Sequence, residues 1–250
     1  MRLDPVAISK ARVLVIGAGG LGSPAASALV KSNVGAIRLL DDDVVDASNL
    51  HRQILYRDAD VGKPKVDAAE AALRAIASES KANTHVEAIA RRFLPETAFE
   101  DLAGVDLVLE GADNMATKFL VADACKLAAV PLVQAGIVRW SGWALLNAPG
   151  KSACLRCVFE DMPSRLSGQE ETCAVAGVVG PAVGVLGAVQ AGLALRLLGG
   201  DTTAAGELFS YDALRGSLRK RAVKPRSGCD LCEGRVSNLD VSRYQGECAA

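Results

Sequence analysis

The chain has 250 residues, half of them apolar and 23% charged, and 28 basic against 29 acidic side chains leave a formal charge of −1. That apolar share and near-zero charge exclude global disorder and an overall cationic field for nucleic acid, and 4% aromatic residues speaks against a base-stacking platform. A chain this long buries enough surface to fold without a disulfide framework. With no apolar signal core in residues 1–10, the seven cysteines read as metal-binding or catalytic groups in a reducing, cytoplasmic setting.

In chain order, short apolar runs at 12–17, 36–41, 105–110 and 131–135, with a weaker one at 84–90, alternate with Ala-rich stretches of helical length at 21–33, 64–80 and 114–130. Near-continuous apolar strands alternating with helices predict an α/β fold, a Rossmann-like, mostly parallel sheet with helices on both faces. Pro64 and Pro95 stand where first helical turns are expected. Beyond residue 137 the pattern changes: 138–146 and 206–222 read as antiparallel strands around a small-residue helix at 178–198, with Trp140 and Trp143 plugging the sheet. Residues 174–195 carry no charge and are long enough to cross a bilayer, but Gly177, Gly180, Gly184, Gly187 and Gly192, with Pro181 and Gln190, favour a packed core helix. The polar stretch 160–172 reads as a loop, and the chain from Val236 onward as a frayed tail. The expected organisation is one domain over 1–235, with a nucleotide-binding half at about 11–136, a second half at about 137–235, and a flexible tail at 236–250.

Gly17-Ala18-Gly19-Gly20-Leu21-Gly22 follows the first strand and opens the first helix, the context in which glycines bring backbone N–H groups up to a phosphate. Asp41 lies about 20 residues further on, at the end of the second strand, where a carboxylate accepts from ribose hydroxyls. A plain dehydrogenase needs little more. Here Asp41, Asp42, Asp43, Asn49, His51, Arg52 and Gln53 form a dense polar run, followed by Lys63 and Lys65. Several cations beside a glycine loop suit a triphosphate, whose oxygens gather charge during transfer. Asp113, just past the strand 105–110, sits at the carboxyl edge of the sheet and is the candidate ligand for Mg²⁺.

Cys154-Leu155-Arg156-Cys157 and Cys229-Asp230-Leu231-Cys232 are two C-x-x-C pairs, which together make a closed, tetrahedral, structural Zn²⁺ site. A redox pair is the alternative, but neither motif opens a helix after a strand. Cys173 precedes the small-residue helix, whose N-terminus lowers a thiol pKa, so it is a candidate nucleophile, with a buried structural role as the competing reading. Cys125 falls in an apolar helical pattern and is expected in the core, whereas Cys248 lies in the tail. Arg215, Arg219, Lys220, Arg221, Lys224 and Arg226 follow one another without an intervening acid, either as a solvated strand edge or as a docking surface for an acidic partner.

Taken together, G-A-G-G-L-G, D-D-D-V-V-D-A-S-N-L-H-R-Q-I-L, V-G-K-P-K, A-D-N-M-A-T-K and the two C-x-x-C pairs resemble the ThiF/MoeB/HesA adenylyltransferases, bacterial relatives of ubiquitin-activating enzymes, over about residues 11–234. T-C-A-V-A-G-V-V-G-P is especially similar to the ThiF branch, which serves thiamine thiazole synthesis. The resemblance implies ATP and Mg²⁺ as reactants and adenylation of the C-terminal glycine of a ubiquitin-like sulfur carrier with a Gly-Gly tail, releasing pyrophosphate. A homodimer is implied too, with a sulfurtransferase as a further partner and neither nucleic acid nor membrane. By motif match, Gly17, Gly19, Gly20, Gly22, Asp41, Asn49, Arg52, Gln53 and Lys65 would bind ATP. Arg52, Lys65 and Asp113 would act on the phosphates, Asp113 through Mg²⁺, and Cys173 would link to the activated carrier. Two departures stand out. Members usually carry R-Y-x-R-Q about 20–30 residues before the glycine loop, with an arginine that reaches the partner subunit's ATP; the expectation here is that Arg2 or Arg12 substitutes for it, that a segment is missing, or that activity is reduced. Gly111-Ala112-Asp113 stands where Cys-Thr-Asp is common, keeping the carboxylate. The competing functions are a non-catalytic nucleotide-binding scaffold for the carrier, an adenylyltransferase for molybdopterin or a specialised sulfur metabolite, and a dinucleotide-dependent oxidoreductase.

Overall fold

The computed structural model describes residues 3–150, 152–161 and 177–244. Eight strands form one sheet in the order β3-β2-β1-β4-β5-β6-β7-β8. The strands β1 (Arg12–Ile16), β2 (Ala36–Leu40), β3 (His85–Ile89), β4 (Leu107–Glu110) and β5 (Leu132–Val138) run parallel. The rest, β6 (Ser141–Asn147), β7 (Glu207–Asp212) and β8 (Ser217–Ala222), are antiparallel. The α/β fold read from the sequence is the fold observed.

Alternation along the parallel strands splits the core in two. Val13, Val15, Ile37 and Leu39 face α2 (Gly22–Lys31), α3 (Lys65–Ser80) and the long helix Gly180–Leu198. Leu14, Ile16, Leu40 and Val108 face the opposite layer, built from α4 (Ala98–Leu102), α5 (Met115–Leu127) and α6 (Leu155–Phe159). A short α1 (Pro5–Lys10), capped by Asp4 through the Val6 and Ala7 N–H groups, precedes β1. The long helix, α7, has a mean hydropathy of 1.6 and the length to cross a membrane. It is nevertheless a core helix: Ala182, Val183, Leu186, Ala191, Leu193 and Ala194 are buried within the chain. A side chain at Gly187 would strike Pro24 Cγ at 2.6 Å, so the glycine is what lets α7 lie against α2.

Four expectations change. Val138 ends β5 instead of opening the next strand, because Arg139, at φ 53°, and Trp140 form a two-residue hairpin turn between Val138 and Ser141. Trp143 packs over Gly136, whose missing side chain would meet the indole Nε1 at 2.9 Å, but Trp140 stands at the hairpin tip, largely exposed. Pro95 lies before Thr97, the cap of α4, and not in its first turn. Residues 236–244, expected to fray, instead run along α5: Val236 is buried, Leu239 and Tyr244 pack on the core, and the Tyr244 hydroxyl donates to Asp123 Oδ2 at 2.7 Å.

Candidate functional site

The chain leaves β1 through the glycine loop. Gly17 adopts φ 90°, and a side chain there would press on the Gly111–Ala112 backbone at 3.1 Å. The loop is clamped at Ala18 from both sides: its N–H donates to Asp41 Oδ2 at 2.7 Å, and its carbonyl accepts from the Tyr56 hydroxyl at 2.7 Å. Asp41 Oδ1 also accepts from the Asp43 N–H at 2.9 Å, which shapes the loop after β2. Burial pushes the Asp41 carboxyl up from its ordinary range, against the opposing pull of Lys65. Burial likewise raises Tyr56, which keeps its hydroxyl a donor.

β1 lies between β2 and β4, so the chain crosses the sheet there, and ligands of open α/β sheets bind at such a switch point. A cleft of about 330 Å³ opens at that edge, lined by Gly17, Asp41–Asp43, Arg91–Phe93 and Ala112–Asn114. Asp113 is exposed there, and its carboxylate makes no ion pair among the described residues. Asn114 next to it caps α5 by accepting from the Thr117 N–H at 2.8 Å.

On the other side of the glycine loop lie the remaining candidates. Arg52 Cγ and Gln53 Nε2 come within 3.6 Å of where side chains of Gly20 and Gly19 would begin. The Arg52 guanidinium is held by Asn49 Oδ1. Lys65 is nearly buried and donates to Asp43 Oδ2 at 2.7 Å, so Asp43 connects this group to the cleft. Gln53 is buried, and its Oε1 has no hydrogen-bond partner. Buried acceptors are seldom left unpaired, and this one belongs to a side chain whose Nε2 lies beside the glycine loop at Gly19. Asn49, Arg52, Gln53 and Lys65 therefore gather with the glycine loop, Asp41 and Asp113 at one edge of the sheet. Arg12 does not join them: it opens β1 at the opposite edge, its N–H on Asp106 Oδ2. Arg2 and Cys173 lie outside the described residues, as do Cys248 and most of the polar stretch 160–172.

Cys154, Cys157, Cys229 and Cys232 converge at the far end of α5. Four of their Sγ···Sγ separations are 3.5–3.7 Å, too long for disulfides. A tetrahedron with Zn–S bonds of about 2.3 Å has sulfur–sulfur edges of about 3.8 Å, so the cage fits zinc and offers no open ligand position. Its apolar packing is its own, with Ala153, Leu231 and Val236 buried around the sulfurs. Cys125 is buried in the core as expected. In the basic run, Arg215 pairs with Asp212 and Lys220 with Glu207.

Several residues near these sites gave no signal in the sequence reading. Arg91, Arg92 and Phe93 line the cleft; Arg92 Nε reaches Asp42 Oδ2 at 2.5 Å, and Arg91 pairs with Asp101. Glu110 and Lys118 form a buried pair under the Asp113 loop. Arg156, inside the first C-x-x-C, places two nitrogens on Asp123, each at 2.9 Å. Charged residues inside apolar runs (Glu110 closing Leu107–Glu110, Asp123 within α5) were the available clue.

The sequence profile of the ThiF family matches residues 4–231. The sulfur carrier protein ThiS adenylyltransferase of Escherichia coli is 39% identical over 230 residues, covering 92% of this chain and 88% of that protein. The sulfur carrier protein adenylyltransferase of Thermus thermophilus is 38% identical over 247 residues, covering 96% and 89%. The bovine adenylyltransferase and sulfurtransferase MOCS3 is 39% identical over 247 residues, and the chain spans 52% of its length. Among solved structures, E. coli MccB with ATP superposes with a TM-score of 0.78 at 22% identity, covering 92% of this chain and 69% of that one, which is a likeness of fold. On the extent of the profile match and these identities, the chain belongs to the ThiF family.

Proposed function

We propose that this enzyme transfers AMP from ATP to the C-terminal glycine carboxylate of a ubiquitin-like sulfur carrier, releasing pyrophosphate, and that it works as a homodimer. The observation that carries the reading is the convergence on one sheet edge of the glycine loop, Asn49, Arg52, Gln53, Lys65 and Asp113, which makes no ion pair among the described residues. The E. coli and Thermus relatives are named for this activity on sulfur carriers.

In the reaction a carrier carboxylate oxygen bonds to the α-phosphorus, the bond to the bridging oxygen breaks, and pyrophosphate leaves with the electron pair. The nucleophile is already anionic, so the site needs no strong base; it needs alignment and charge neutralisation. Asp41 holds the glycine loop and keeps lone pairs for ribose hydroxyls. Arg52 and Lys65 exchange Asn49 and Asp43 for phosphate oxygens, while Asn49 and Gln53 supply hydrogen bonds. Asp113 would hold Mg²⁺, which when bound neutralises phosphate charge. Zinc in the four-cysteine cage is structural in this reading, and Cys173 is the thiol that takes the activated carrier. The finer assignment to thiamine thiazole synthesis rests on the run 172–181, T-C-A-V-A-G-V-V-G-P, and the cytoplasmic setting on the cysteine usage and the N-terminal residues.

ATP–pyrophosphate exchange tests the proposal. Exchange that appears only with a folded carrier ending in Gly-Gly supports adenylation. ATP binding without exchange, across several such carriers, favours a non-catalytic scaffold instead.

A further inference from the structure

Beneath the cleft, one glutamate, through its carboxylate and its backbone carbonyl, ties β4 to α5, β5 and α7. Glu110 ends β4 fully buried, three positions before Asp113. Its Oε1 accepts from the Ala112 N–H at 2.5 Å and from Lys118 Nζ at 3.1 Å. Its Oε2 accepts from Lys118 Nζ and from Gln134 Nε2, each at 3.1 Å. Lys118 sits near the start of α5 and also donates to the Ala135 carbonyl at 2.5 Å. From the opposite face, Gln190 of α7 donates to the Glu110 backbone carbonyl at 2.8 Å.

Burying an ion pair carries a desolvation penalty that its mutual attraction only offsets, and apolar residues of similar size often serve stability as well or better. Stability alone therefore does not account for a carboxylate at the last position of β4. Its placement does one thing no apolar side chain can do: it accepts from the backbone N–H immediately before Asp113. The two neighbouring acids thus differ in duty. Glu110 is fully engaged by the protein, whereas Asp113 has no ion-pair partner among the described residues and lines the cleft.

We propose that Glu110 is a positioning residue for Asp113, fixing the Ala112 peptide and with it the direction in which Asp113 presents its carboxylate to a divalent cation. This rests on the reading of Asp113 as the Mg²⁺-holding group. Mg²⁺ demands near-ideal octahedral geometry, so a ligand loop that has lost its anchor binds it worse. Loss of partners that orient a metal ligand typically costs about 10–100-fold in metal affinity or activity.

Two double variants separate positioning from packing. Glu110→Leu/Lys118→Met removes both charges and the acceptor for Ala112. Glu110→Gln/Lys118→Met removes the charges but keeps an amide oxygen for Ala112, while its NH₂ can meet the otherwise unpartnered Gln134 Oε1. For the full chain, ATP affinity is measured by calorimetry in Mg²⁺ and in EDTA, alongside the melting temperature. The Gln/Met pair should keep the wild-type gain in affinity from Mg²⁺. The Leu/Met pair should lose about 10–100-fold of that gain, with its EDTA affinity and melting temperature matching the Gln/Met pair. A full Mg²⁺ gain in the Leu/Met pair, or an equal loss in both, overturns the proposal. Glu110→Met/Lys118→Met serves the same purpose if the leucine shape prevents folding. Asp113→Ala is the control: if the Mg²⁺ gain survives there, the reading of Asp113 fails, whatever Glu110 does.

Discussion

The two ends of α5 hold charge in opposite ways. At the cysteine end, Asp123 takes two nitrogens of Arg156 and the Tyr244 hydroxyl, and the Arg156 guanidinium stacks 4.9 Å from the Phe119 ring centroid. Four sulfurs beside it complete one another's cage. At the cleft end, Glu110 and Lys118 are buried beneath the site, but the pairs at its surface are more exposed: Lys65 to Asp43 and Arg92 to Asp42 each join a partner that solvent reaches. There, among the described residues, Asp113 makes no ion pair and the buried Gln53 Oε1 has no hydrogen-bond partner. In the function proposed above, one end is finished by the chain and zinc, and the other is completed by a reactant. A structural site can bury its charges permanently. A catalytic site must keep pairs that exchange partners, and exposed pairs, worth about 0–1 kcal/mol, exchange cheaply.

The largest expected effect tests whether the closed end is separate from the open one. Cys229→Ser should reduce bound zinc from a single ion to near none. In zinc-finger peptides structural zinc supplies about 10–16 kcal/mol, and here the loss should lower the melting temperature by about 2–4 °C for each kcal/mol forfeited. ATP affinity measured well below that melting point should stay unchanged. Zinc retained at the wild-type level would remove Cys229 from the cage. A loss of ATP affinity in a chain that is still folded would join the two ends into one unit.

A smaller effect tests how the cysteine end is tied to α5. Arg156→Met leaves Asp123 buried without its countercharge, which typically costs about 3–5 kcal/mol, or roughly 10 °C in a chain of this size. Arg156→Met/Asp123→Leu removes both charges and should recover most of that loss, with zinc still bound. If the double variant melts as low as the single one, the guanidinium acts through packing on Phe119 and not by neutralising Asp123.

How much of this was legible in the sequence differs between the ends for the same physical reason. The cysteine cage uses one residue type at fixed spacing, because thiolate chemistry and tetrahedral geometry leave few alternatives; both pairs could be read directly. The glycine loop was equally legible, since Gly17 and Gly22 stand where the backbone has no room for a side chain. Asp41 and Asp113 were placed by their positions after strands. The Arg91–Phe93 wall of the cleft was not, because only the register of β3 against β2 brings it beside Asp42. Glu110 with Lys118 and Asp123 with Arg156 were missed because a charge in an apolar run tells that it is paired but not with what. The hairpin at Arg139–Trp140 escaped notice because a left-handed Arg carries no turn signature. Tyr244 belongs to a segment without periodicity, and it is held by packing on the core and by its hydroxyl reaching across to Asp123.

The smallest effect contrasts the carboxylates by their pH response. Burial raises Asp41 and Glu110 above their ordinary values, so ionising them opposes folding, and that opposition sets in as pH climbs through their raised values. Asp201, beyond the C-terminus of α7, behaves in the opposite sense. It accepts from the Thr203 hydroxyl and N–H and from Arg196 Nε, and these bonds hold it down at about 2 against an ordinary 3.8. Its folded form binds a proton less readily than its unfolded form, so its contribution is fully present above the unfolded value and fades as pH falls from about 4 toward 2. Melting curves of the wild type and of Asp201→Asn should therefore stand a constant distance apart between pH 5 and 7 and converge as pH drops to 3. For Asp41→Asn the change runs the other way: relative to wild type, the variant gains stability as pH rises from 3 to 6, because it no longer ionises a buried group. If both variants drift from wild type in the same direction across that range, the hydrogen bonds at Asp201 do not outweigh burial, and the contrast between an open site's costly carboxylates and a loop's satisfied one is lost.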